Sequence, residues 1–168
     1  EKALINSKIN IKVITVVHLG GIRCNLKDIA SVAKKYNCYI VEDACHAPGP
    51  IYLHNGKQQE INCKYSVACT YSFHAIKHIA MGEGGCITTN DKNMAKNIKE
   101  KRSHGIKRLE NEMKFSPEKN AKWYYEMHEL GWNYRADELS CALGLSQLRR
   151  LQDNLYKRRK LVDIYYAN

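Results

Sequence analysis

The sequence lacks any apolar run approaching the roughly 20 residues that a membrane-spanning helix requires. The longest, Val13-Ile14-Thr15-Val16-Val17, is short and interrupted by a threonine. No membrane partner is expected. The opening Glu1-Lys2-Ala3-Leu4-Ile5-Asn6 has no long apolar segment after its basic residue and no small-residue cleavage site, so no secretory leader is expected there. Cys-x-x-Cys spacing is missing too, although cysteine is not scarce. Cys24, Cys38, Cys45, Cys63, Cys69, Cys86 and Cys141 make an odd number. Several sit in apolar strand-like runs, as Cys69 and Cys86 do. This favours reduced, mostly buried thiols in a cytoplasmic protein over a disulfide scaffold. The ligand spacings of structural zinc sites are absent. His74 and His78 are four apart, but their surroundings read as a strand end and a loop, so no metal is expected. Internal repeats and low-complexity tracts are absent as well.

Acidic residues are in short supply, 17 against 27 basic ones, giving a formal net charge of +10. Such an excess suits a nucleic acid or a phosphorylated ligand. Lysine outnumbers arginine 19 to 8, in a chain generally rich in Lys, Asn and Ile. That bias is what an A+T-rich genome produces, so part of the charge is compositional. Two basic clusters stand out: Lys99, Lys101, Arg102, Lys107 and Arg108, then Arg149, Arg150, Lys157, Arg158, Arg159 and Lys160. No nucleic-acid motif accompanies either. Solvated helix faces, or a rim that attracts a diphosphate, account for them without a nucleic-acid partner. The hydrophobic share of 44% excludes a disordered chain.

The apolar pattern predicts β–α–β at the start. Ile11 to Val17 reads as a buried parallel strand. Leu26, Ile29, Ala30 and Ala33 share one helical face, with Asn25 as N-cap. Cys38 to Val41 is the next strand, with Glu42-Asp43 at its carboxyl end. Pro48, Gly49 and Pro50 stop regular structure. Tyr52 to Glu60 reads as a polar excursion with a hairpin around Asn55-Gly56. Val67 to Phe73 and Cys86 to Thr89 are strands separated by a loop too short for a crossover helix, so the second should run antiparallel to the first. A polar helix follows over 91–102, then a long loop over 106–122. A helix capped by Asp137 and a very basic helix reaching Tyr166 complete the chain. The fold class is α/β, three-layered, with a mostly parallel sheet.

In open α/β sheets ligands gather outside the carboxyl ends of the strands. Asp43 lies there, and so does the segment Ser72-Phe73-His74-Ala75-Ile76-Lys77. A lysine just past a strand is ordinarily solvated. A desolvated one frees its amine as a nucleophile able to condense with an aldehyde. Pyridoxal phosphate needs a lysine for its aldehyde and an acid for its ring nitrogen. Its phosphate needs hydroxyl and N–H donors, and Ser72 precedes Lys77 by five residues. No single signal is specific. Their order is more so: strand, Asp43, strand, Ser72, Lys77, glycine turn, strand.

The sequence resembles the DegT/DnrJ/StrS nucleotide-sugar aminotransferases, which are fold-type-I pyridoxal phosphate enzymes. Val41 to Gly49 resembles the family's E-D-x-A-x-A-x-G stretch, and Ser72 to Lys77 its S-F-x-x-x-K motif. Glu83-Gly84-Gly85 and Arg102-Ser103-His104-Gly105 follow in the family's order. Gly131 to Arg135 with Ala142 to Leu148 resembles G-x-N-x-R and A-L-G-L-x-Q-L. The resemblance implies that Lys77 holds the cofactor and shuttles the proton, and that Asp43 pairs with the pyridine nitrogen. Ser72 would contact the phosphate. His46 stands where the family commonly has Gln, near the phenolic oxygen. Asn133 would reach the neighbouring subunit's cofactor, implying a homodimer. Some relatives carry His in place of the lysine and are dehydratases, so Lys77 implies transamination. The implied reaction moves an amino group from an amino acid donor, glutamate, to a nucleotide sugar of the 4-keto-6-deoxy UDP-N-acetylhexosamine kind. A non-catalytic remnant or partner subunit is the alternative. Family members are longer, so the resemblance makes 1–150 a partial cofactor-binding large domain and 151–168 the start of a helical link to a small domain.

Overall fold

A computed structural model of the chain describes residues 1–49, 51–52, 58–59, 63–115 and 121–167. They form two compact units, one built from 1–90 and 137–168, the other from 91–136.

In the first unit a short helix, α1 (Lys2–Asn6), precedes strand β1 (Val13–Val17). The sequence pattern carries no apolar period over this first helix, and none of its residues is buried. A three-residue turn at Leu19–Gly21 leads to α2 (Leu26–Lys35). Asn25 caps that helix, its side chain accepting from the Asp28 N–H, while Lys34 and Lys35 sit at the negative end of the helix dipole. Strand β2 (Tyr39–Asp43) follows. Short strands β3 (Ile51–Tyr52) and β4 (Gln58–Gln59) pair antiparallel. The expected turn at Asn55-Gly56 between them lies outside the described residues, as does Pro50. Next come β5 (Ala68–Ser72) and β6 (Gly85–Thr88).

The main sheet has the order β1-β2-β5-β6. The first three strands are parallel and β6 is antiparallel to β5, as the short connection requires. This is the expected α/β architecture with a mostly parallel sheet. One face carries the core. Val16 and Ile40 pack against Leu26 and Ala33 of α2, and Ala44, Ala47, Cys63 and Cys69 form a second cluster. The expectation that β1 is buried holds only for Val16. Val13 and Val17 are 47% and 46% exposed because they lie on the face opposite α2, where Tyr39 of the interior strand β2 is 62% exposed as well.

The unit closes with α4 (Glu138–Arg149) and α5 (Leu151–Ala167). Asp137 caps α4 by accepting from the Ser140 N–H at 2.8 Å. Gly144 of α4 passes so near the loop after β5 that a Cβ there would lie 3.2 Å from the Met81 Cβ.

The second unit begins with α3 (Lys92–Arg102), whose cap Asp91 accepts from the N–H groups of Asn93 and Met94. The loop expected over 106–122 is partly structured. Strand β7 (Ile106–Lys107) pairs with β8 (Glu126–Met127), and a helical turn spans Glu110–Glu112. A two-residue strand gives too short a pattern for alternation to register. Of the first basic cluster, Lys101 pairs with Glu129 and Lys107 with Glu100. Internal ion pairs thus take up part of its charge.

The thiols divide. Cys63 and Cys69 are buried, whereas Cys86 and Cys141 are exposed. Cys86 departs from the expectation because β6 is an edge strand.

Candidate functional site

The carboxyl ends of β1, β2 and β5 come together. Parallel pairing sets Val17 opposite Asp43, and Asp43 opposite Thr70. Side chains alternate along a strand and paired residues share a face. Asp43, Thr70 and Ser72 therefore leave the same side of the sheet, opposite the face that α2 covers.

Asp43 ends β2, and its Oδ1 accepts the Cys45 N–H at 3.0 Å. The Cys45 side chain and backbone N–H hold its carboxyl below the usual carboxylate range, and the charge of Lys77 adds to this against the cost of burial. Asp43 is thus ionised at neutral pH.

Ser72 ends β5. Its Oγ accepts the His74 N–H at 3.3 Å, which leaves the hydroxyl proton to donate elsewhere. The following loop is fastened at both ends. Phe73 donates its N–H to the Gly84 carbonyl at 2.8 Å and accepts from the Met81 N–H at 2.9 Å. Ile79 and Met81 are each 5% exposed and anchor the loop in the protein. Lys77 rides on this loop, its N–H donating to the His74 carbonyl at 2.9 Å. Ile76 beside it is exposed, so Lys77 is desolvated less than its apolar neighbours suggest, and it is half-buried. Among the described residues no ion pair joins it to Asp43.

His46 is held from below. Its Nδ1 accepts the Gly20 N–H at 3.3 Å. A ring nitrogen that accepts carries no proton, so the neutral ring bears its proton on Nε2 and offers a donor. His78, next to Lys77, has a buried Nδ1 with no hydrogen-bond partner among the described residues. Burial, then the charges of Arg158 and Lys77, pushes its imidazole below the ordinary histidine range.

These donors and acceptors fit pyridoxal phosphate. An ionised carboxylate, a primary amine unpaired with it, an imidazole N–H and a free hydroxyl proton are the groups that its ring nitrogen, aldehyde, phenolic oxygen and phosphate need. A buried ring nitrogen without a partner also marks a place where a polar group is missing from the protein itself. Asp43, His46, Ser72 and Lys77 all lie in the first unit. Asn133 lies in the second, where its Oδ1 accepts from Arg135 Nε at 3.2 Å and its backbone bridges Ser103.

Sequence reasoning missed a pair at the base of this site. His18 and Glu42 are buried at 0% and 1% exposure, with Nε2 and Oε2 2.8 Å apart. Burial opposes ionisation of Glu42, but hydrogen bonds from His18 and Ser66 outweigh it and hold its carboxyl below the usual range. The signal was available, since His18 follows β1 directly and so stands at a strand's carboxyl end.

Residues 2–168 match the model of the DegT/DnrJ/EryC1/StrS aminotransferase family. A UDP-4-amino-4,6-dideoxy-N-acetyl-beta-L-altrosamine transaminase of Campylobacter jejuni is 38% identical over 98% of this chain and 40% of its own length. The spore coat polysaccharide biosynthesis protein SpsC of Bacillus subtilis is 35% identical over 92% of this chain and 38% of its own. Among solved structures, the Helicobacter pylori aminotransferase PseC, involved in the biosynthesis of pseudoaminic acid, superposes with a TM-score of 0.69 at 30% identity. It covers 84% of this chain and 34% of its own. The PLP-form of the putative sugar aminotransferase Spr1654 of Streptococcus pneumoniae gives a TM-score of 0.73 at 26% identity, over 93% and 41%. The chain thus spans about 40% of the length of the curated relatives it matches.

Proposed function

The chain belongs to the DegT/DnrJ/EryC1/StrS aminotransferase family, and on that footing we propose that it carries the cofactor-binding centre of a pyridoxal-phosphate-dependent sugar-nucleotide aminotransferase. The proposed substrate is a 4-keto-6-deoxy UDP-N-acetylhexosamine, and the proposed donor is glutamate. The observation that carries the proposal is the shared face of Asp43 and Ser72, with the Lys77 loop alongside and Lys77 unpaired with Asp43. The transaminase from Campylobacter jejuni supports the choice of sugar.

When bound, the cofactor supplies an aldehyde for the amino group and a ring that accepts electrons from the substrate carbon. Lys77 would hold the aldehyde end and carry a proton between donor and acceptor carbons. Asp43 would keep the ring nitrogen protonated through a charge-assisted hydrogen bond. Ser72 would donate to the phosphate, and His46 Nε2–H to the phenolic oxygen. Asn133 would serve the cofactor of a second subunit in a cytoplasmic homodimer. Residues 1–150 would belong to the large domain, and 151–168 would begin the link to a small one.

A non-catalytic partner subunit is the second reading. One experiment separates the two. The full-length protein is incubated with pyridoxal phosphate, reduced with borohydride and digested. A pyridoxyl group on the peptide containing Lys77 supports the proposal. Uptake by another lysine, or none, overturns it and leaves the non-catalytic reading.

A further inference from the structure

We propose that His18 and Glu42 are positioning residues for the cofactor site, acting on His46 through the turn at Leu19–Gly21. The inference rests on the cofactor reading above.

The turn is hung from His18. Its backbone N–H donates to the Asp43 carbonyl at 3.0 Å, extending the β1–β2 ladder by one residue. Its carbonyl accepts the Gly21 N–H at 3.1 Å and so starts the turn. Its side chain then closes the far side. Nδ1 accepts the Cys24 N–H at 3.3 Å, spanning residues 18 to 24. Because Nδ1 accepts, Nε2 carries the proton and donates it to Glu42 Oε2 at 2.8 Å. Glu42 Oε1 takes a second donor, the hydroxyl of Ser66. A buried carboxylate is costly unless its lone pairs are met, and here two donors from different segments meet them. The segment leading into β5, the end of β2 and the turn after β1 are thereby tied at one point.

His46 rests on that turn. Gly20, at φ +61°, directs its N–H to His46 Nδ1. The approach is close, for a Cβ on Gly21 would lie 3.3 Å from the His46 carbonyl oxygen. Two histidines are thus set in the same tautomer by backbone N–H groups. The Nε2 proton of His18 is spent on Glu42, and that of His46 remains for a ligand. If the turn moves, His46 loses the bond that selects its tautomer, and its donor becomes an acceptor in part of the molecules.

Nitrogen-15 NMR of the imidazoles in the full-length protein without cofactor tests the tautomer directly. The wild type should hold the His46 proton on Nε2; a proton on Nδ1 overturns the proposal at once. His18→Phe keeps bulk but removes both hydrogen bonds. It should give a mixture of His46 tautomers and weaken pyridoxal phosphate binding about tenfold, by analogy with the loss seen when the hydrogen-bond partner that orients a metal-ligating histidine is removed. Glu42→Gln should keep both properties near wild type, because its amide carbonyl still accepts from His18. If His18→Phe does not fold, Glu42→Leu carries the same two readouts. A single Nε2–H tautomer with wild-type affinity in a folded His18→Phe or Glu42→Leu variant refutes the positioning role. Failure of the cofactor reading looks different: the wild type itself then takes up no pyridoxal phosphate.

Discussion

Asp43 and Ser72 end neighbouring parallel strands and leave the same face of the sheet. The register that sets Asp43 against Thr70 places Ser72 two residues further along β5. A rigid ring with its nitrogen at one end and its phosphate at another needs partners at fixed separation. Two strand ends in register supply that better than two loops.

Substitutions on this frame should separate by role, measured as transamination by the full-length protein. Lys77→Ala removes the group assigned to proton transfer, and the rate should fall by about three orders of magnitude. Asp43→Asn keeps shape and removes charge. A hydrogen bond to a charged group contributes roughly 1.5–3 kcal/mol, so the loss should be about tenfold to a hundredfold. Wild-type turnover in either variant sinks the assignment.

Gly85→Ala should loosen the strand pair behind Ser72. Gly85 faces Ser72 across β5–β6, and a Cβ there would stand 2.5 Å from the Tyr71 carbonyl oxygen. The obstacle is backbone, so a strand must shift. Overpacking of this kind costs roughly 1–3 kcal/mol. Urea denaturation of the full-length variant should show the loss; an unchanged midpoint would mean that β6 yields freely.

Several of these features were legible in the sequence. Asn25 and Asp137 each precede a helix, and each caps one, because a cap depends only on neighbours in the chain. The antiparallel β6 followed from a loop length. The strand-end rule found Asp43. What escaped was set by distance in the chain or by what lies beside an element. Glu42 reads as the neighbour of Asp43, yet its partner His18 is 24 residues away. Val13 and Val17 read as core, but burial of a strand depends on what covers its second face. The pairing of β7 with β8 joins segments about twenty residues apart, and neither is long enough to show alternation.

Thiol reactivity should follow position. Cys69 is wholly buried, and burial pushes its thiol up to about 12. It stays protonated at neutral pH and is a poor nucleophile. Brief alkylation of this chain under native conditions should mark the exposed Cys141 well before Cys69. Mass spectrometry of the peptides gives the order, and early modification of Cys69 would contradict its placement.

The last prediction concerns acid. Glu126 gathers four donors. The N–H groups of Lys114 and Phe115 lie 2.7 and 2.9 Å from its oxygens, the Tyr124 hydroxyl lies at 3.0 Å, and His128 Nε2 is bonded to it as well. Burial alone would raise its pKa. The Lys114 N–H, His128, the Phe115 N–H and Tyr124 outweigh burial and take the carboxyl from the ordinary 4.5 down to about 2. The folded value lies below the unfolded one, so the carboxylate's contribution to stability is fully present above about pH 4.5. It fades as pH falls towards 2. The segment closed by Glu126 should therefore open in that window. The protection of the Lys114 and Phe115 amides, taken relative to intrinsic exchange at each pH, should fall between pH 4.5 and 2 in the wild type. In Glu126→Gln the neutral amide cannot titrate, and its NH2 cannot accept. Its carbonyl still accepts from one of the two N–H groups, so the amide left facing the NH2 should lose protection at neutral pH, and protection at either position should no longer depend on this titration. Protection of both amides at pH 2 in the wild type, or unchanged protection in the variant, would show that β7–β8 pairing holds the segment without the carboxylate.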